Sequence, residues 1–221
     1  MRAALDETRQ GETCRRVVRI AFDGVTLAFG RLVVFDGLTV EFSSGRSTAI
    51  VGSNGAGKST LLKLAGQFTE PDAGSVKAFD GATELLRADF RKRLAMVSPT
   101  MSLYARLTGE ENLKFFAGLR GVGIDDVGGL FERVGLASGD GKKFVGEYST
   151  GMAQRLKLAI LLSTGADVWL LDEPGANLDE AGRSMVLSEI ERAAGEGKLI
   201  LLATNDPIEA SAADERLSLT R

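Results

Sequence analysis

The residues best suited to chemistry sit in two short stretches: Gly52-Ser53-Asn54-Gly55-Ala56-Gly57-Lys58-Ser59, with Thr60 after it, and Asp172-Glu173. The first fits G-x-x-x-x-G-K-[ST], a pattern whose glycines let backbone N–H groups turn inward around phosphate oxygens. Lys58 would reach the outer phosphates of a nucleotide, and the Ser59 hydroxyl would coordinate Mg²⁺. In the second stretch, Asp172 suits the same Mg²⁺, because a hard cation prefers charged oxygen. Glu173 is the natural group to orient or deprotonate an attacking water. Phosphoryl chemistry on a bound nucleotide is the expectation.

Those residues act together only if the chain brings them to one place. Residues 47–51 read as a buried strand that runs into the glycine-rich loop, and 59–66 have a helical pattern, which supplies the strand and helix flanks the motif needs. Ahead of that run, 38–42 alternate apolar and polar and 43–46 turn, which predicts a hairpin feeding the buried strand. Residues 71–74 read as a turn into another short strand near Val76. Three further apolar runs, 94–97, 168–171 and 199–203, are also of strand length, and the helical stretch 180–194 makes the last two a β-α-β unit. Strands that are apolar throughout suit a parallel sheet covered on both faces. Asp172 and Glu173 then fall at the carboxyl end of a strand, where ligands collect in open α/β sheets.

Between 99 and 163 the pattern turns helical. Thr108 with Glu111 has the spacing of a capping box. The glycine-rich segment 121–129 reads as a flexible connection. Residues 151–162 predict a helix with Met152, Leu156 and Ala159 on its apolar face and Gln154 and Lys157 turned away.

Composition narrows the partners. The 221 residues are 44% hydrophobic with a net charge of −3, enough for a buried core and without a basic block that would neutralise a nucleic-acid backbone. No nucleic-acid partner is expected. Histidine is absent, so the chemistry must use carboxylates, Lys, amides or hydroxyls. Cys14 is the single cysteine and has no partner for a disulfide or a metal. No apolar core of an export signal follows Arg15-Arg16. The longest uncharged apolar stretch, 158–166, falls far short of the ~20 residues that span a bilayer, so a soluble chain is expected.

At Tyr148-Ser149-Thr150-Gly151-Met152-Ala153-Gln154-Arg155 the chain resembles the ATP-binding cassette (ABC) ATPases, whose signature is L-S-G-G-Q-x-Q-R, and the resemblance extends from about 25 to 213. It implies an α/β fold of the P-loop type: a RecA-like core (17–98 and 164–221), an antiparallel β subdomain and a helical insertion (99–163), after an N-terminal extension (1–16). It implies that ATP is bound with Mg²⁺, with Lys58, Glu173 and Asn205 catalytic, and that Phe29 stacks on adenine. Ser149, Thr150, Gly151 and Met152 would close on ATP held by a second subunit, in a homodimer or a heterodimer with another such subunit. Asn177, Leu178 and Asp179 resemble the D-loop that joins the paired sites. Leu107-Thr108 and Glu110-Glu111-Asn112-Leu113 resemble the part that grips an integral membrane permease subunit, which would place the chain on the cytoplasmic face of the cell membrane. Together with Tyr148, Ser149, Gly151 and Met152 they are similar to exporter and haem-exporter cassettes.

Two positions depart from the family pattern. Pro99 stands where the family has a Mg²⁺-touching Gln, and Asn205 stands where it has a His. Proline offers neither a side-chain oxygen nor an N–H, and Asn carries neither charge nor proton. Slow turnover is expected. A regulatory module gated by ATP, and a soluble cassette protein without a transporter, remain open beside the transport motor.

Overall fold

In chain order the elements are β1 (Val18–Phe29), β2 (Leu32–Ser43), β3 (Arg46–Val51), α1 (Lys58–Ala65), β4 (Ala73–Asp80), β5 (Thr83–Glu84), α2 (Arg87–Lys92) and β6 (Leu94–Val97). They continue as α3 (Gly109–Gly118), α4 (Val127–Arg133), α5 (Thr150–Ser163), β7 (Val168–Asp172), α6 (Glu180–Gly195), β8 (Leu199–Ala203), α7 (Pro207–Ala212) and β9 (Glu215–Ser218). The computed structural model describes residues 17–137 and 139–220. The expected N-terminal extension, Cys14 and Arg15-Arg16 lie outside the described residues.

Two sheets divide the strands. Four are antiparallel in the order β2-β1-β4-β5, and five are parallel in the order β6-β7-β8-β3-β9. β6 and β8, and β7 as far as Leu171, are apolar at every position because both of their faces are covered. On β7 and β8, Val168, Leu170, Leu199 and Leu201 face a core shared with α1 and the antiparallel sheet. Trp169, Leu171, Ile200 and Leu202 face a second core shared with α5 and α6. β7 is buried along its whole length, so its carboxyl end is a fixed point, and the chemistry begins there.

The structure corrects three sequence expectations and adds a strand. The strand before the glycine loop does not form a hairpin with β2: β2 pairs with β1, and β3 pairs with β8 and β9. The turn between them passes the chain from one sheet to the other. Ser44 N donates to Val18 O (2.8 Å), and Gly45, at φ 82, donates its N–H to Lys198 O (2.9 Å). β1 itself, twelve residues long, was not anticipated. The connection at 121–129 ends early, because the Asp126 carboxylate accepts from Gly129 N (2.7 Å) and caps α4. On α5, Gln154 and Lys157 are buried instead of turned to solvent.

The expected capping box of α3 is present. Thr108 Oγ1 accepts from Glu111 N (3.2 Å) while the Glu111 carboxylate accepts from Thr108 N (2.8 Å).

Candidate functional site

The loop between β3 and α1 is held closed by its own lysine. Lys58 is 7% exposed. Its Nζ donates to Gly52 O (2.8 Å), to Ser53 O (3.2 Å) and to Asn205 Oδ1 (2.8 Å). Gly57 caps α1 at φ 103 without a side-chain bond, leaving the first N–H groups of the helix free to face an anion. A Cβ at Gly57 would lie 2.7 Å from Val34 Cγ1, so the backbone there must be glycine both for its dihedral and for its close approach to β2.

The carboxylates come from the neighbouring strand. Asp172, the last residue of β7, accepts from Ser59 Oγ (3.0 Å). Glu173 follows at φ 50, a left-handed conformation that costs a non-glycine residue roughly 1–3 kcal/mol and recurs at functional sites. Its N–H bonds Ala203 O (2.9 Å), which ties it to the end of β8 and hence to the segment that follows. There Asn205 donates Nδ2 to Glu173 Oε1 (2.8 Å) and to Asn54 Oδ1 (2.9 Å). One amide therefore links the lysine, the glutamate and the glycine loop.

These groups line a cleft of about 320 Å³. Its polar wall contains Asn54, Lys58, Ser59, Thr60, Asp172, Glu173 and Asn205, and Phe29, Leu32 and Val34 form an apolar lip. Phe29 is 57% exposed at the tip of the β1–β2 hairpin, so it is available to a ligand and is not core. Gly55 and Gly57 complete the loop wall, while Ala56 is buried beneath it. Ser59 and Asp172 offer oxygen donors only. Among the described residues there is no group of three or more His, Cys, Asp or Glu able to hold a metal, so Ser59 and Asp172 would share a cation with substrate oxygens and water.

Ser149, Thr150, Gly151 and Met152 do not line this cleft. Ser149 and Thr150 are exposed, and Ser149 Oγ caps α5 by accepting from Met152 N (3.2 Å). Of the expected D-loop, Leu178 is core. Asp179 caps α6 by accepting from Gly182 N (2.9 Å) and pairs with Arg155 at 2.7 Å. Asn177, at φ 65, brings its carbonyl so close to Gly151 that a Cβ there would stand 3.0 Å away. The backbones at Gly151 and Asn177 thus pack against one another, and neither residue lines the cleft.

Sequence reasoning missed Leu32 and Val34 on the lip, while Pro99, expected where the family has a Mg²⁺-touching Gln, lines the cleft wall. It also missed the two buried polar side chains of α5: Gln154 donates to Pro174 O (2.8 Å) and Lys157 to Ser98 O (3.1 Å). A helix with almost no charged residues has no solvent face, and that was the available signal.

A parallel sheet whose strand ends meet a glycine loop, a buried lysine and two carboxylates defines a P-loop nucleotide-binding domain. The family model described as ABC transporter matches residues 35–176. The chain is 34% identical to the cytochrome c biogenesis ATP-binding export protein CcmA of Sodalis glossinidius, over 80% of this chain and 84% of that protein. It is 33% identical to a daunorubicin resistance ATP-binding protein of Streptomyces coeruleorubidus, over 90% of this chain and 64% of that one. A bacterial ABC transporter cassette solved as a dimer superposes with a TM-score of 0.79 at 20% identity, covering 90% of this chain and 94% of that chain. This chain belongs to the ABC transporter family, as one of its ATP-binding domains.

Proposed function

We propose that the chain binds and hydrolyses ATP and drives export through a separate membrane subunit, working as a dimer with two ATP molecules between its copies. The observation that carries this reading is the division of the site. Lys58, Ser59, Asp172 and Glu173 converge in one cleft, while Ser149 and Thr150 stand exposed outside it. Each copy thus has a phosphate cradle and a separate helix start, and in this reading the two meet across an interface between copies.

In this reading Phe29, Leu32 and Val34 hold the adenine, and the loop from Gly52 to Thr60 holds the phosphates through backbone N–H groups and Lys58. Adenine is favoured over guanine because no Lys in the sequence is preceded by Asn or Thr, as a guanine-reading N/T-K-x-D requires. The oxygen pair of Ser59 and Asp172 fits Mg²⁺, which supplies positive charge against the developing negative charge of the transferred phosphoryl group. Glu173 accepts a proton from the attacking water, and the Asn205 amide holds that carboxylate at 2.8 Å. Ser149 and the amides at the start of α5 supply the second anion-binding surface.

The relatives' names support export. Among the described residues no helix is long and apolar enough to cross a membrane, and in this reading a separate subunit carries the cargo. A groove of about 470 Å³, lined by Phe68, Met96, Met101, Phe116 and Leu119 together with the cations Arg91, Arg120 and Lys157, suits a helical segment of that subunit. A peripheral position on the cytoplasmic membrane face follows from such docking. Pro99 and Asn205 favour a second reading, an ATP-gated module that turns over rarely.

Steady-state turnover of the wild type against Glu173→Gln tests the assignment, with binding of a fluorescent ATP analogue measured in parallel. The variant is expected to keep nucleotide affinity and to lose turnover by about a hundredfold or more. Equal rates would remove Glu173 as the base, and a wild type that binds without turnover would favour the gated module.

A further inference from the structure

We infer that Lys157 is a positioning residue for the nucleotide cleft, its ammonium fixing from behind the turn at Ser98 and Pro99 that forms part of the cleft wall. This rests on reading the cleft as an ATP site. α5 is buried nearly all round, and Lys157 is 9% exposed within it. Its Nζ donates to Ser98 O (3.1 Å) and Pro99 O (3.4 Å). Burial pushes the ammonium's pKa down, and no carboxylate among the described residues offsets that penalty. A cation kept in such a place costs stability, and among the described residues the acceptors it reaches are the two carbonyls of this turn.

The turn needs an external anchor. Pro99 has no N–H to donate and no side-chain oxygen with which to hold itself to the bound substrate. What it has locally is Met101 N donating to Ser98 O (3.1 Å) and the hydroxyl pair of Ser98 and Thr100 at 3.0 Å. Ser98 O therefore accepts from both the turn and the helix. One helical turn earlier, Gln154 holds Pro174 O, next to Glu173. Residues three apart lie on one helix face, so a single face of α5 secures two loops of the cleft, and Lys157 secures the one whose own side chain cannot.

Lys157→Met removes the ammonium and keeps the apolar stem, and Lys157→Arg keeps the charge and the donors. In the methionine form, amide hydrogen exchange in a peptide spanning 100–104 should rise about tenfold with strands β7 and β8 unchanged. The kcat for ATP should fall about tenfold with KM within about twofold. The arginine form should recover at least half of both losses. Unchanged exchange at 100–104 overturns the inference. So does unaltered kcat, or a loss in which kcat, KM and melting temperature all move together, the mark of a packing role alone. A wild-type chain that neither binds nor hydrolyses ATP overturns the reading of the cleft instead, and the exchange experiment still decides whether Lys157 holds the turn.

Discussion

At the scale of single residues, the proposed role of Asn205 bears most on how fast the site would work. Its Oδ1 accepts from Lys58, and its Nδ2 donates to both Asn54 and Glu173. The amide is well placed to hold the geometry but cannot gain charge as the phosphoryl group develops it. A hydrogen bond involving a charged group exceeds a neutral one by roughly 1 kcal/mol or more, and losing a charge-assisted contact of about 1.5–3 kcal/mol corresponds to about ten- to a hundredfold in rate. Asn205→His should therefore raise ATP turnover by about tenfold or more at a pH where the imidazole is protonated, measured by phosphate release. No change would mean that the bonds among Lys58, Asn205 and Glu173 already supply what the charge would add. The sequence alone located this position by its place after β8, but not its triple bonding, because Asn54 lies 151 positions away.

At the scale of elements, the loop that carries Asn205 is set by α7 beneath it. Asp206 caps that helix by accepting from Ile208 N (2.7 Å), and Glu209, 3% exposed, accepts from Thr204 Oγ1 (2.5 Å). Burial pushes the Glu209 carboxyl above its ordinary 4.5, with Asp206 and Glu173 adding to the shift and the Thr204 hydroxyl and Gly175 N–H opposing it. A folded-state pKa above the unfolded one contributes stability that is complete below the unfolded value and is lost as pH rises through the folded value. Urea denaturation of the wild type and of Glu209→Gln from pH 4 upward should show the difference moving steadily in the variant's favour above about 4.5. A difference that stays flat with pH would place Glu209 at its ordinary pKa. Strands β6 and β8 were legible to the residue, because a strand covered on both faces leaves an uninterrupted apolar run. The partner of β2 was not, since alternation of period two names a strand and one buried face without naming its neighbour. The interior of α5 was misread for a related reason: Lys157 and Gln154 look like a solvent face until the loops they bond, 59 and 20 positions away, are in place.

At the scale of the whole molecule, the separation of cradle and signature makes a claim that no single copy can satisfy. The cleft holds Lys58 and lacks Ser149, and Ser149 caps a helix that opens on a different surface. If each ATP lies between the Lys58 of one copy and the Ser149 of its partner, damage at the two positions falls on different sites. Lys58→Ala alone and Ser149→Arg alone should each be inactive, because every site of a symmetric pair loses one half. Mixed in equal amounts, the two variants form hybrid pairs in which one site joins the intact cradle of one copy to the intact signature of the other, and the second site carries both lesions. Random pairing makes half of the pairs hybrid, each with one working site of two, so the mixture should recover up to about a quarter of wild-type turnover. A mixture as inactive as its components, shown by cross-linking to contain hybrid pairs, would mean either that both sites must fire together or that the signature serves its own copy. Mg-ATP with the Glu173→Gln form separates these outcomes. Trapped pairs by small-angle scattering leave the shared site standing with its two halves interdependent, whereas lone molecules at saturating nucleotide would end it, and the proposed motor with it.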